Sequence, residues 1–144
     1  MSTEENKALY HRWIETVFNA KNLGAIDEFL APSAVDHALP PGMPTTPEGS
    51  RQFISSYLRA FPDLHLRIED VVAEGDRIVG RWTSIGTHQG ELMGIPPTGR
   101  QATSTGIEIL RIEGGRFVEH WLAFDQLGML IQLGVIPAPG QGSA

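Results

Sequence analysis

The chain has 144 residues, no cysteine, 19% charged residues and a net charge of −6. That length is one domain with room for a sizeable core. The missing cysteine excludes a disulfide framework, a thiol nucleophile and a thiolate metal site, and the 11 scattered Lys and Arg form no basic stripe, which sets nucleic acid aside as a partner.

The first predicted helix covers residues 3–20. Leu9, Trp13 and Val17 recur at helical spacing beside Tyr10, Ile14 and Phe18, and Ser2 with Glu5 fits a capping box. A second helix is expected at about 23–30, ended by Pro32. Residues 31–46 carry Pro32, Pro40, Pro41, Gly42 and Pro44 and read as an ordered loop, of the kind that is often functional. Thr46-Pro47 opens a third helix, with Thr as N-cap and Pro at the first position; Phe53, Ile54, Tyr57, Leu58 and Phe61 form its buried face. The period then changes from helical to alternating. Leu64, Leu66 and Ile68 alternate with His65, Arg67 and Glu69, a half-buried strand. Glu74-Gly75-Asp76 is a turn, 77–88 a strand, and a Gly/Pro loop follows to Gly99. Strands at 101–112 and 116–124 flank Glu113-Gly114-Gly115, and a short helix at about 126–133 ends the ordered chain. Domain boundaries are set at 1–136, with a disordered tail at 137–144.

Helices followed by hairpin-linked strands specify an α+β fold. A twisted antiparallel sheet of this size curls into a cone whose concave face, closed by the N-terminal helices, is the default ligand pocket. No apolar run approaches the ~18 residues of a membrane span. The opening MSTEENK lacks the features of a signal peptide. A cytoplasmic protein without a membrane partner is expected.

The segment GIEILRIEGGRFVEHWLAFD, residues 106–125, holds the main candidates for chemistry. With a three-residue loop, Ile112 pairs with Arg116 and Glu108 lies directly opposite His120 on one face. That face also carries Gly106, Leu110, Ile112, Val118, Leu122 and Phe124. An acid and an imidazole in an apolar wall suit proton transfer; the same two residues also fit a structural polar pair. A two-residue loop shifts the pairing by one and removes the argument. Asp125, before Gln126-Leu127-Gly128, is either a helix N-cap or a third catalytic group. His37 lies at a pocket mouth or against backbone. His88 is a turn residue or a pocket residue, and Trp82 and Tyr57, at core spacing, are candidates to line the pocket with Leu122 and Phe124. The five histidines are far apart in sequence and form no metal motif, so no metal is expected. Ile107, Ile109 and Trp121 make the outer sheet face apolar, which predicts a homodimer through it.

Taken together, several segments resemble the SnoaL-like polyketide cyclase (ester cyclase) family over roughly residues 5–134. They are the opening helix, Val35-Asp36-His37 before Pro40-Pro41-Gly42, FPDLHLRIEDVVAEGDRIVGRWT, GTHQGELMGIPPTGR, GIEILRI and EHWLAFDQLGMLIQLG. The resemblance implies the cone-shaped α+β barrel of nuclear transport factor 2. It also implies intramolecular aldol closure of a polyketide methyl ester, by an aspartate acid/base and a neighbouring histidine, without metal or cofactor. Matched through GIPPTGR and the EGG turn, the family's histidine falls on Glu108 and its aspartate on Leu122.

The expected function is therefore cofactor-independent acid/base chemistry on a small apolar carbonyl compound, a cyclisation or a related lyase or isomerase step. Glu108 is the base, His120 orients it or relays the proton, and His37 or Asp125 supports them. Leu122 at the family's aspartate position favours instead a non-catalytic binding domain of the same fold. Epoxide hydrolysis, a third reading, needs two carboxylates and an arginine around one water; Glu108, Asp125 and Arg111 are available, but Arg111 alternates away from Glu108.

Overall fold

A computed structural model describes residues 2–140. Helix α1 (Thr3–Trp13) starts where its capping box places it: the Ser2 hydroxyl oxygen accepts the Glu5 N–H at 3.1 Å, and its proton goes to the Glu5 carboxylate at 3.2 Å. The helix runs on as a π-helical turn, Ile14–Asn19. The Asn19 amide then bonds both backbone groups of Leu66, donating at 3.0 Å and accepting at 2.8 Å, and ties the helix end to the sheet. The predicted second helix is shorter than expected, a 3-10 turn at Leu23–Ala25 followed by α2 (Ile26–Phe29).

The proline-rich segment is only partly a loop. Residues Leu30–Asp36 form strand β1, and the irregular path begins at His37. Pro32 is tolerated because β1 is an edge strand, where one side of the backbone needs no partner. Helix α3 (Pro47–Ala60) has Pro47 in its first turn; Thr46 occupies the N-cap position but its hydroxyl makes no capping bond.

Strands β2 (His65–Glu74), β3 (Arg77–Thr87), β4 (Gln101–Glu113) and β5 (Arg116–Phe124) form successive antiparallel pairs. The full order is β1-β5-β4-β3-β2, with β1 parallel to β5. The sheet is thus mixed rather than wholly antiparallel, and it is curved and unclosed. Helix α1 packs on β2 and β3, α3 on β1, and α4 (Gln126–Gln132) on β4. Residues 137–140, the described part of the expected tail, have no regular structure beyond a turn; residues 141–144 lie outside the described residues.

The β4–β5 register differs from expectation in a way that matters for the site. The turn has two residues, Gly114 and Gly115, both at positive φ (59° and 78°), and Glu113 pairs with Arg116. That alone would turn His120 away from Glu108. A β-bulge corrects it: Ile112 pairs with Phe117 but Arg111 pairs with Glu119, so Val118 is the extra residue. Beyond the bulge Leu110 opposes His120 and Glu108 opposes Leu122. Glu108 and His120 share a face as diagonal neighbours, and Phe117, rather than Val118, points into the core on the concave side.

Candidate active site

The concave face and its covering helices enclose a cavity of about 120 Å³, walled largely by aromatic and aliphatic side chains that include Trp13, Phe53, Tyr57, Phe61, Phe117 and Phe124. One polar cluster breaks this wall. Diagonal placement brings His120 Nε2 to 2.9 Å from Glu108 Oε1. In the parallel register Asp36 is level with His120, and Asp36 Oδ1 lies 3.1 Å from Nδ1. Both ring nitrogens face carboxylate oxygens, an arrangement satisfied when both carry protons. Burial alone would push the His120 pKa down; the hydrogen bonds and charges of Asp36 and Glu108 outweigh it and raise the pKa from 6.5 to about 10. His120 is an imidazolium at neutral pH.

Each carboxylate is itself held. Burial would raise the Asp36 pKa, but His120, the Ala38 N–H (2.9 Å) and the Ser50 hydroxyl (2.9 Å) overcome that and lower it. Glu108 Oε2 accepts from the Tyr10 hydroxyl at 3.0 Å and from Trp82 Nε1 at 2.7 Å. Oε2 is therefore filled, while Oε1, with His120 as its single donor, keeps one acceptor position open. Burial and the Glu108 charge push the Tyr10 pKa far up, so Tyr10 stays a donor.

Two glycines make room for these donors. Gly80 is the register partner of Glu108, and Gly106 that of Trp82. A Cβ at Gly80 would overlap the Tyr10 ring and hydroxyl, and one at Gly106 would overlap the Trp82 indole. Gly80→Ala is expected to cost about 1–3 kcal/mol through overpacking and to pull Tyr10 off Glu108. Urea unfolding measures the cost; a loss below about 0.5 kcal/mol, the usual range for an unconstrained surface change, contradicts this account.

Of the residues anticipated from sequence, Glu108, His120, Trp82, Tyr57, Leu122 and Phe124 all line the cavity. Three others do not. His37 follows inward-facing Asp36 and therefore points to the opposite face, where Nε2 lies 2.9 Å from Glu119 Oε2 and the ring stacks on Trp121 at 5.0 Å. His88 is fully buried beside the cavity wall; its Nδ1 accepts the Thr98 N–H at 3.2 Å, and its ring tilts against Phe61. Asp125 caps α4, accepting the Gly128 N–H at 2.9 Å. Arg111 points outward to Glu119 at 2.8 Å, so the carboxylate–arginine set for epoxide hydrolysis is not assembled. On that outer face Ile107 is 48% exposed, while Trp121 is covered by His37 and by the Arg77 guanidinium.

Two residues that the sequence does not single out for the site, Asp36 and Tyr10, belong to it. Tyr10 is core, at 0% exposure, and also an anchor of Glu108. The available signal for Asp36 was a carboxylate between Val35 and His37 at the entrance to the proline-rich segment.

Comparison with known proteins agrees with this architecture. The model of the SnoaL-like polyketide cyclase family matches residues 8–133. Nogalonic acid methyl ester cyclase of Streptomyces nogalater is 30% identical over 122 residues, 83% of this chain and 90% of that one. Aklanonic acid methyl ester cyclase DnrD of Streptomyces peucetius is 31% identical over 74% of this chain and 72% of its own. AclR from Streptomyces galilaeus, a candidate hydroxylase of known structure, superposes with a TM-score of 0.85 at 33% identity, covering 94% of this chain and 85% of that one. Fold, cavity and matched length converge on one assignment: the chain belongs to the SnoaL-like polyketide cyclase family.

Proposed function

We propose that the protein is a cofactor-independent acid/base enzyme that cyclises, or otherwise isomerises, an apolar carbonyl compound held in the concave cavity. The observation that carries this reading is the Glu108 carboxylate, fixed by Tyr10, Trp82 and the His120 imidazolium, with one acceptor position of Oε1 unfilled in an otherwise apolar wall.

Glu108 Oε1 removes a proton from the carbon next to a substrate carbonyl. The resulting enolate carbon attacks a second carbonyl of the same molecule, and one C–C bond forms. The new alkoxide takes the proton back from Glu108, so product and substrate have equal mass. Asp36 and Glu108 hold the imidazolium in place, with its Nε2 against the oxygen that acts as base. The low-polarity wall strengthens each of these interactions. The methyl esters named for the two cyclase relatives are the first substrates to test.

A second reading, a binding domain without turnover, is favoured by Leu122, which stands directly across from Glu108 and cannot move a proton. Incubation with nogalonic acid methyl ester separates the two. A product of unchanged mass and altered retention time supports the enzyme. Ester recovered unaltered from D2O, with no deuterium incorporated, supports the binder.

A further inference from the structure

The geometry points to the Tyr57 hydroxyl as the group that anchors a hydrogen-bond-accepting oxygen, a neutral carbonyl or ether, of whatever molecule occupies the cavity. This rests on the cavity being the ligand site and does not require Glu108 to be the base.

The carboxylate, imidazole and hydroxyl side chains that line the cavity beside Tyr57 are already committed. Ser50, Asp36, His120 and Glu108 bond one another in a chain. Ser84 and Ser104 donate to the backbone carbonyls of Ser104 and Asp125. Glu119 turns outward to Arg111 and His37. Tyr57 lines the same cavity from α3, and among the described residues its hydroxyl makes no hydrogen bond. Nor is that oxygen among the sealed unpaired atoms, which are Asn6 Oδ1 and His88 Nε2. Burial alone moves its pKa up to about 12, so it remains a protonated donor at any pH at which the protein works.

A phenol that opens onto the cavity from an aromatic wall, with no partner in the protein, can donate its proton to an acceptor that enters. Its ring is fixed for this purpose: Phe53 lies at 5.0 Å, Phe124 edge-on at 6.0 Å and Phe61 stacked at 6.4 Å, centroid to centroid. A ligand that reached for His120 instead would have to break one of its two carboxylate bonds. Tyr57 is the hydroxyl donor in the wall that a ligand oxygen can use without breaking a bond within the protein. The ligand class that follows is apolar and neutral, with one acceptor oxygen directed at α3. Carboxylates are disfavoured, because Asp36, His120 and Glu108 together leave one negative charge in the wall.

The probe pair is acetophenone, a neutral aryl ketone, and ethylbenzene, the same shape without the oxygen. Both are small, neutral aromatic molecules that match the largely aromatic and aliphatic wall of the cavity. Binding is measured to the wild-type chain and to Tyr57→Phe, which keeps the ring and its aromatic contacts. Acetophenone is expected to lose about 5–10-fold in Kd on substitution, the effect of one hydrogen bond, while ethylbenzene changes less than about twofold. The carbonyl stretch of bound acetophenone should lie at lower frequency in wild type than in Tyr57→Phe. Equal changes for both probes, no change for either, a carbonyl band indifferent to the substitution, or no saturable binding of acetophenone would each overturn the assignment. Failure here with Glu108-dependent chemistry intact removes Tyr57 alone. An intact Tyr57 effect, with chemistry indifferent to Glu108→Gln, removes the proposed reaction alone.

Discussion

Glu108→Gln is expected to reduce the rate of proton exchange at the enolisable carbon of a bound substrate by about 10²–10⁴-fold, the contribution typical of a positioned general base. Ligand affinity should change less than about threefold, because the cavity wall is otherwise retained. The size of the effect follows from geometry. The amide that replaces the carboxylate still accepts from Tyr10 and Trp82 through one oxygen, but it presents N–H groups where Oε1 now meets His120. The base is lost, and the imidazolium faces a donor. Deuterium incorporation from D2O, followed by NMR or mass spectrometry, reads the step directly. Exchange that proceeds undiminished in Glu108→Gln would remove Glu108 from the chemistry and shift attention to Asp36, the other carboxylate on the same ring.

Asp36→Asn should lower the pKa of His120 from about 10 toward 6.5, and should destabilise the chain by about 3 kcal/mol near neutral pH, the order expected when one partner of a buried ion pair is removed. The sign of the pH dependence is fixed by the direction of each shift. The folded-state pKa of His120 is raised, so its stabilisation is complete below about pH 6.5 and is lost as pH climbs through about 10. That of Asp36 is lowered, so its stabilisation is present above the ordinary aspartate value of 3.8 and is lost as pH falls through the depressed folded value. The wild-type chain should therefore be most stable between about pH 4 and 6.5 with respect to this cluster, and Asp36→Asn should flatten the decline on the alkaline side. Urea unfolding at several pH values and the NMR titration of His120 test both halves. An unchanged titration of His120 would mean that Asp36 does not govern its charge.

The division of the chain into a helical part and a sheet part was legible because its hydrophobic period changes. Leu9, Trp13 and Val17 repeat at helical spacing, whereas Ala102, Ser104, Gly106, Glu108, Leu110 and Ile112 alternate and are all buried. The Glu108–His120 contact was anticipated, but through a different register. A three-residue loop without a bulge and a two-residue turn with a bulge place the same two side chains on the same face, and sequence patterning reports faces, not turns. What escaped notice is β1. It pairs in parallel with a strand distant in sequence, no hairpin sets its register, and Pro32 breaks its pattern. Asp36 was hidden with it. His37, the more conspicuous residue, was given a pocket role although alternation along an extended segment sends it to the face opposite Asp36. Tyr57 was legible as a lining residue, since a tyrosine at core spacing on α3 faces the sheet.

Val118 is the spare residue of β5, and its bulge decides which side chains beyond it face the cavity. Were Val118 paired regularly with Arg111 instead of bulged, every position that follows would invert: Glu119 and Trp121 would turn inward, and His120 would turn to the outer surface. Deleting Val118 and lengthening the Gly114-Gly115 turn by one residue would keep the same inner face without altering the length of the chain. Two relatives can therefore carry the same cavity with their insertions at different places. A column-by-column alignment across this hairpin equates the wrong side chains unless its gap is drawn at the bulge in one chain and at the turn in the other.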